Sequence, residues 1–222
     1  MSKYIVLIGD VIKSRTIEIK ERNEFQQSLE KDLNRFNKKY KDKIVSDFTV
    51  TLGDEFQGFL YDAKVAFEVI TYLQVKYSYQ LRYGIGIGEL YTGIKDKSIG
   101  MDGPSWWNSR KALEAIKQNK DEITNICVSG ITNVLLEELI NNAFIFVHAI
   151  TKKWNTNQKK ILEKIIRTYG LNNEFKQVEF AKKFKIDPSK VSRTLKSTMF
   201  LHYVDMIKSI AKIINKEVGF YG

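Results

Sequence analysis

Two short segments in the first third of the chain limit its fold more than any other feature. Residues 44–52 and 56–61 alternate in character and are rich in Phe, Val, Thr and Tyr, with Gly53-Asp54 between them. That pattern predicts two antiparallel strands joined by a tight turn. Helical patterns flank the pair. Phe25, Leu29, Leu33, Phe36 and Tyr40 recur at helical spacing before it, and Ala66, Ile70, Leu73 and Tyr77 share a face after it. The first helix is expected to begin near Ser14–Thr16, with Ser14 as its cap. A doubly wound parallel sheet would lack such a central hairpin.

The remaining elements extend the pattern. Tyr4–Ile8 is an apolar run closed by Gly9-Asp10 and reads as a buried strand. Leu81–Tyr91 reads as another strand, 105–118 as a helix and Ile123–Val128 as a last strand. The order is β-α-β-β-α-β-α-β, which predicts an α+β fold of the ferredoxin-like, split βαβ type, with helices on one face of a largely antiparallel sheet. In Leu81–Tyr91, alternation places Tyr83, Ile85 and Ile87 on one face and Gly84, Gly86 and Gly88 on the other. The bare face suits a closely packed helix, a second subunit or a ligand. Trp106 and Trp107 suit core packing or stacking on a base.

Charge divides the chain. Residues 1–150 carry 20 Lys/Arg and 20 Asp/Glu, whereas 151–222 carry 16 and 6, so the net charge of +10 belongs to the last third. A neutral domain over 1–130, a connector helix over 131–154 and a basic module over 155–222 follow from this split. The connector is read from a seam at positions 135, 139, 143, 146, 150 and 154. The single Cys127 excludes an internal disulfide framework and a paired-cysteine zinc site, and a lone thiol fits a cytoplasmic protein. No apolar run reaches the roughly 20 residues of a membrane span, so no membrane association is expected.

The basic third contains helical patterns at 157–169, 177–184, 189–198 and 200–218. Asp187 is expected as an N-cap and Pro188 as the first helical residue, with Val191 and Leu195 inward. The stretch QVEFAKKFKIDPSKVSRTLK resembles a helix-turn-helix. In that reading Gln177, Ser189, Lys190, Ser192, Arg193 and Lys196 face DNA, short side chains reaching base edges and cations holding phosphates. Lys185 stands where many such turns place Gly, so a different turn is expected. A three-helix module for protein contacts and a solubilising basic tail are the alternatives.

At the other end, Asp10 closes the first strand, and Asp54 and Glu55 lie at the hairpin tip. Carboxylates side by side at one sheet end suit Mg or Mn, which in turn hold nucleotide phosphates. Each carboxylate also has a structural reading, as a strand-end or turn residue. Ser14 and Arg15 suit phosphate contact at a helix start, or a cap and a surface charge.

LGDEF at 52–56 resembles the Gly-Gly-Asp-Glu-Phe loop of diguanylate cyclases, and LRYGIGIGELYTG at 81–93 resembles a strand of class III nucleotide cyclases. DGPSWWNSRKAL at 102–113 is similar to their later Gly…Asn…Arg segment. GDVIKSR at 9–15, GDEF at 53–56 and the helix-turn-helix together resemble the SatD family. The resemblance implies a cyclase-like palm domain with Asp10 and Asp54 as metal ligands. It also implies Asp10, Asp54 and Glu55 as catalytic carboxylates and Ser14, Arg15, Asn108 and Arg110 as nucleotide contacts. Asn108 and Arg110 are two residues apart, where the cyclases space them by four. Three functions are consistent with this set. They are a DNA-binding regulator with a nucleotide- and metal-binding palm, a metal-dependent nucleotidyl cyclase or nucleotidyltransferase, and a degenerate palm acting through dimer surfaces. A homodimer is expected.

Overall fold

The computed structural model describes residues 2–51, 54–119 and 121–220, the side chain of Arg15 excepted. The chain is α+β. Strands β1 (Tyr4–Val11), β2 (Ile44–Val50), β3 (Glu55–Leu60), β4 (Leu81–Gly88) and β5 (Ile126–Ser129) form one sheet in the order β2-β3-β1-β4-β5. The β1–β3, β1–β4 and β2–β3 pairings are antiparallel, and β4–β5 is parallel, so the sheet is mixed. Helices α1 (Ile19–Lys39), α2 (Ala63–Lys76), α3 (Pro104–Gln118), α4 (Val134–Thr151), α5 (Thr156–Tyr169), α6 (Gln177–Phe184), α7 (Pro188–Ser197) and α8 (Phe200–Val218) complete it.

The helices do not share one face, contrary to the sequence expectation. Ile5 and Leu7 of β1 and Tyr83, Ile85 and Ile87 of β4 pack in one core with α1 and α2. Val6 and Ile8 point the other way, onto Trp106 and Leu113 of α3. β1 is therefore buried on both sides. The glycine face of β4 makes this possible. A Cβ added at Gly86 would meet the Ser105 carbonyl oxygen and the Ser109 nitrogen at 2.1 Å, and one at Gly84 would meet the Ser109 carbonyl oxygen at 2.3 Å. The bare face receives α3 backbone to backbone. Trp106 packs on Phe59, their ring centroids 4.7 Å apart, while Trp107 is half exposed and donates to Asp102.

Two further expectations are corrected. Ser14 lies in a separate 3-10 turn (Ser14–Thr16), and α1 starts only at Ile19, so Ser14 does not cap it. On α4, the buried residues are Ile140, Phe144, Val147 and Thr151, whereas Leu135, Leu139 and Phe146 of the expected seam are 76%, 65% and 70% exposed. α4 is apolar on both sides, and periodicity alone does not choose between them. By length and composition α4 is also a candidate membrane span, which the sequence reading passed over.

The basic third does not stand apart from the sheet. α5 and α8 pack on α2, and one apolar core runs from Ile5 to Ile214 across residues 130 and 154. Buried polar contacts cross the same seam. Asn215 donates to Asp62 (2.8 Å) and accepts from the Ala63 N–H (2.8 Å), and the Thr71 and Tyr203 hydroxyls share a hydrogen bond at 2.6 Å.

Candidate functional site

The end of β1 gathers the acidic residues singled out in the sequence. Antiparallel register sets Asp10 opposite Glu55 on β3 and opposite Arg82 on β4. Asp10 follows Val6 and Ile8 by the two-residue period, so its side chain lies on the α3 face. There Arg82 donates to it from Nε at 3.0 Å and from its terminal nitrogen at 3.4 Å. The Lys117 ammonium of α3 lies 3.2 Å from its second oxygen. Arg110, seven residues before Lys117 on the same helix face, grips both Glu55 oxygens at 2.6 and 3.0 Å. Two carboxylates thus meet three cations. The hydrogen bond that Arg110 donates to Glu55 raises its pKa above the ordinary guanidinium value. Burial pulls the Lys117 ammonium down, but its hydrogen bonds to Glu114 and Asp10 and their negative charge outweigh it, and its pKa is raised overall.

Asp54 is not part of this arrangement. It precedes β3 in the turn, and Arg22 of α1 lies 4.0 Å from it. Leu52 and Gly53 of the signature loop lie outside the described residues. Asn108 donates to the Ile87 carbonyl at 2.7 Å and so pins α3 to the far end of β4. Ser14 is buried just after β1. The backbone of Arg15 belongs to the same 3-10 turn. The sequence reading missed Arg82 and Lys117. Arg82 carried a usable signal, since it precedes Gly84 by two and shares the glycine face.

The residues present do not suit a bare divalent ion. Every oxygen of Asp10 and Glu55 accepts from an Arg or Lys, and three cations would repel a fourth. Among the described residues no group of three His, Cys, Asp or Glu side chains is placed to hold a metal.

The second concentration of charge is on α6 and α7. Phe180 and Ala181 of α6 and Val191, Thr194 and Leu195 of α7 are buried. Val178 is 68% exposed, and Phe180 takes the inward position. The turn between the helices closes with Ile186 N–H donating to the Ala181 carbonyl at 2.9 Å and Lys185 N–H to Lys182 at 3.3 Å. Lys185 takes the left-handed conformation, φ 52°, that this closure needs, so the turn keeps its geometry without glycine. Asp187 caps α7 by accepting from the Ser189 N–H at 2.8 Å, the contact that lowers its carboxyl pKa, and Pro188 opens the helix. Ser189, Lys190, Ser192, Arg193 and Lys196 are exposed, and Gln177 is half-buried. Arg193 folds back onto the Ser189 carbonyl and hydroxyl, both at 3.3 Å.

The described residues thus form an α+β protein with a five-strand mixed sheet, eight helices, an ion-paired carboxylate cluster at one sheet end and an exposed basic helix. A family model described as the SatD family (SatD) matches residues 4–214, and the chain belongs to that family. No curated protein matches it.

Proposed function

We propose that this SatD-family protein is a cytoplasmic DNA-binding regulator in which α6-turn-α7 is a helix-turn-helix and α7 enters the major groove. One observation carries the reading. α7 buries Val191, Thr194 and Leu195 and turns Ser189, Lys190, Ser192, Arg193 and Lys196 outward, after a capped and proline-started first turn. Short hydroxyls at the start of such a helix reach base edges, and Lys and Arg farther along reach phosphates. The excess of 16 basic over 6 acidic residues in 151–222 supplies the field that draws DNA in.

In this reading the sheet domain is a cyclase-like palm that senses rather than catalyses. A nucleotide with Mg or Mn would have to displace Arg82, Lys117 and Arg110 from their carboxylates. Its phosphates would meet those same cations. Two-metal catalysis by Asp10, Asp54 and Glu55 draws no support from this geometry, because the first and third are held by cations and the second lies outside the cluster.

The test is retention of genomic fragments by the full-length protein at about 0.15 M salt, followed by fluorescence anisotropy on a retained fragment. Affinity should fall steeply with salt, and Lys196→Ala should reduce the slope of log K against log salt by about one. Absence of any retained fragment refutes the regulator.

A further inference from the structure

A cavity of about 300 Å³ lies beside the Asp10 cluster, between the β4 end of the sheet and α4 and α5. Five buried side-chain polar atoms lack a hydrogen-bond partner among the described residues, and four belong to residues lining this cavity. They are both amide atoms of Gln74 on α2, Oδ1 of Asn125 before β5 and Nδ1 of His148 on α4. Buried polar atoms are almost always paired, and leaving one unpaired is costly. Three such residues from three separate elements at one cavity point to a missing partner.

The charge of the wall says what kind. Arg82, Lys117, Lys152 and Lys159 line it against one carboxylate, Glu122. Arg82 and Lys117 are engaged with Asp10. Lys159 is half-buried, and burial pulls its pKa below the ordinary ammonium value. His148 is also held low, by burial first and then by Lys152, so it is neutral near pH 7. Tyr79 and Trp154 add aromatic surface, and Trp154 is fixed by its hydrogen bond to the Thr198 carbonyl at 2.9 Å.

We propose that this cavity binds a small organic anion, a phosphate or carboxylate carried on a heterocycle with a planar amide-like edge. The unpaired Gln74 amide offers one donor and one acceptor side by side, the complement of such an edge. Lys159 and Lys152 meet the anionic group, and an aromatic wall suits the ring. The volume stands at the lower limit of ligand pockets and suits a small ligand. The site neither uses the Asp10 carboxylate nor rests on DNA binding.

The experiment is calorimetric titration of the full-length protein with uridine monophosphate, adenosine monophosphate and orotate. Uridine and inorganic phosphate serve as the separated halves. At least one of the three conjugates should bind, at least tenfold tighter than either half. The nucleotide and orotate arms distinguish a phosphate from a carboxylate ligand. Gln74→Leu and Lys159→Met should each weaken binding at least tenfold. Gln74→Leu should melt no lower than the native protein, because the amide it removes has no partner to lose. If Gln74→Leu does not fold, Lys159→Met at its half-exposed position decides alone. The proposal is overturned if no conjugate binds, if a half binds as tightly as its conjugate, or if binding survives the substitutions that fold.

Discussion

Replacing Asp10 with Asn separates an ion-paired carboxylate from one held ready for a metal. Asp10 is only 8% exposed, and its two oxygens accept from Arg82 and Lys117. The substitution keeps the shape and removes the charge, leaving two cations facing each other with one fewer carboxylate between them. Breaking a fully buried pair costs about 3–5 kcal/mol. Arg82 and Lys117 side chains are 20% and 28% exposed, so water screens part of the loss, and about 2 kcal/mol is expected. For a chain of this length that is about 4–8 °C in melting temperature. The assay is thermal unfolding of native protein and Asp10→Asn in EDTA, with Arg82→Gln and the double variant completing a cycle. The double variant should be less destabilised than the sum of the singles, because the second substitution removes the charge that the first left unpaired. A carboxylate held apart for an incoming cation behaves in the opposite way. Neutralising it leaves metal-free stability unchanged or higher. An Asp10→Asn variant as stable as the native protein in EDTA refutes the ion-pair account and revives the metal site.

Lys185→Gly should raise the melting temperature by about 2–4 °C, since Gly adopts the left-handed turn at about 1 kcal/mol less than a residue with a Cβ. An unchanged value in thermal unfolding would mean the turn relaxes in solution. Asn215→Ala should destabilise by about 2 kcal/mol at pH 7 in urea unfolding, because the Ala63 N–H and Asp62 both lose a buried partner. Burial alone would raise the Asp62 pKa, but hydrogen bonds from Asn215, Lys43 and the Lys64 N–H outweigh it and hold the carboxyl below its ordinary value. Its contribution is therefore complete above the unfolded carboxylate pKa and lost as pH falls through the folded one, so the gap between native and Asn215→Ala should narrow below about pH 4. The paired change Leu139→Glu and Phe146→Glu should convert a homodimer to a monomer by light scattering if α4 pairs with a second copy, and a native protein that is already monomeric refutes the dimer.

The order of elements was legible because strand and helix periods leave different marks, and each patterned segment kept its type. β2 and β3 fall within two residues of their expected limits. The face each helix covers was harder to see. α3 belongs to the opposite side of the sheet from α1 and α2, and the signal was the glycine alternation in β4 rather than anything in α3 itself. α4 misled because it is apolar on two sides, and packing chose Ile140, Phe144 and Val147 over Leu135, Leu139 and Phe146. In the Asp10 cluster, the acidic members were visible as strand-end residues. The cations that hold them come from β4 and α3, and only the folded register brings them together. Gln74, Asn125 and His148 left no sequence trace. A polar residue without a partner becomes conspicuous only once the surrounding elements are in place.

The shared core also bears on how a ligand near the sheet could influence α7. Where a flexible linker joins two domains, a signal needs a surface that closes or opens. No such break exists here between α2 and the C-terminal helices. α2 packs on α5 and α8, its first residue is tied to Asn215 of α8, and its Thr71 is tied to Tyr203. α7 in turn leans on α5 and α8. Gln74, the amide left unpaired at the cavity, lies on α2, and Lys159 on the far wall lies on α5. A ligand gripping both would act on the two helices whose contact joins the sheet to the basic module. Close-packed helices shift as units rather than deform, so such a ligand changes where α7 points by biasing the packing of α5 and α8 on α2. The cavity and the exposed basic helix are thus linked through the packing of α2, α5 and α8 and through Trp154, and those contacts are where coupling between them has to be carried.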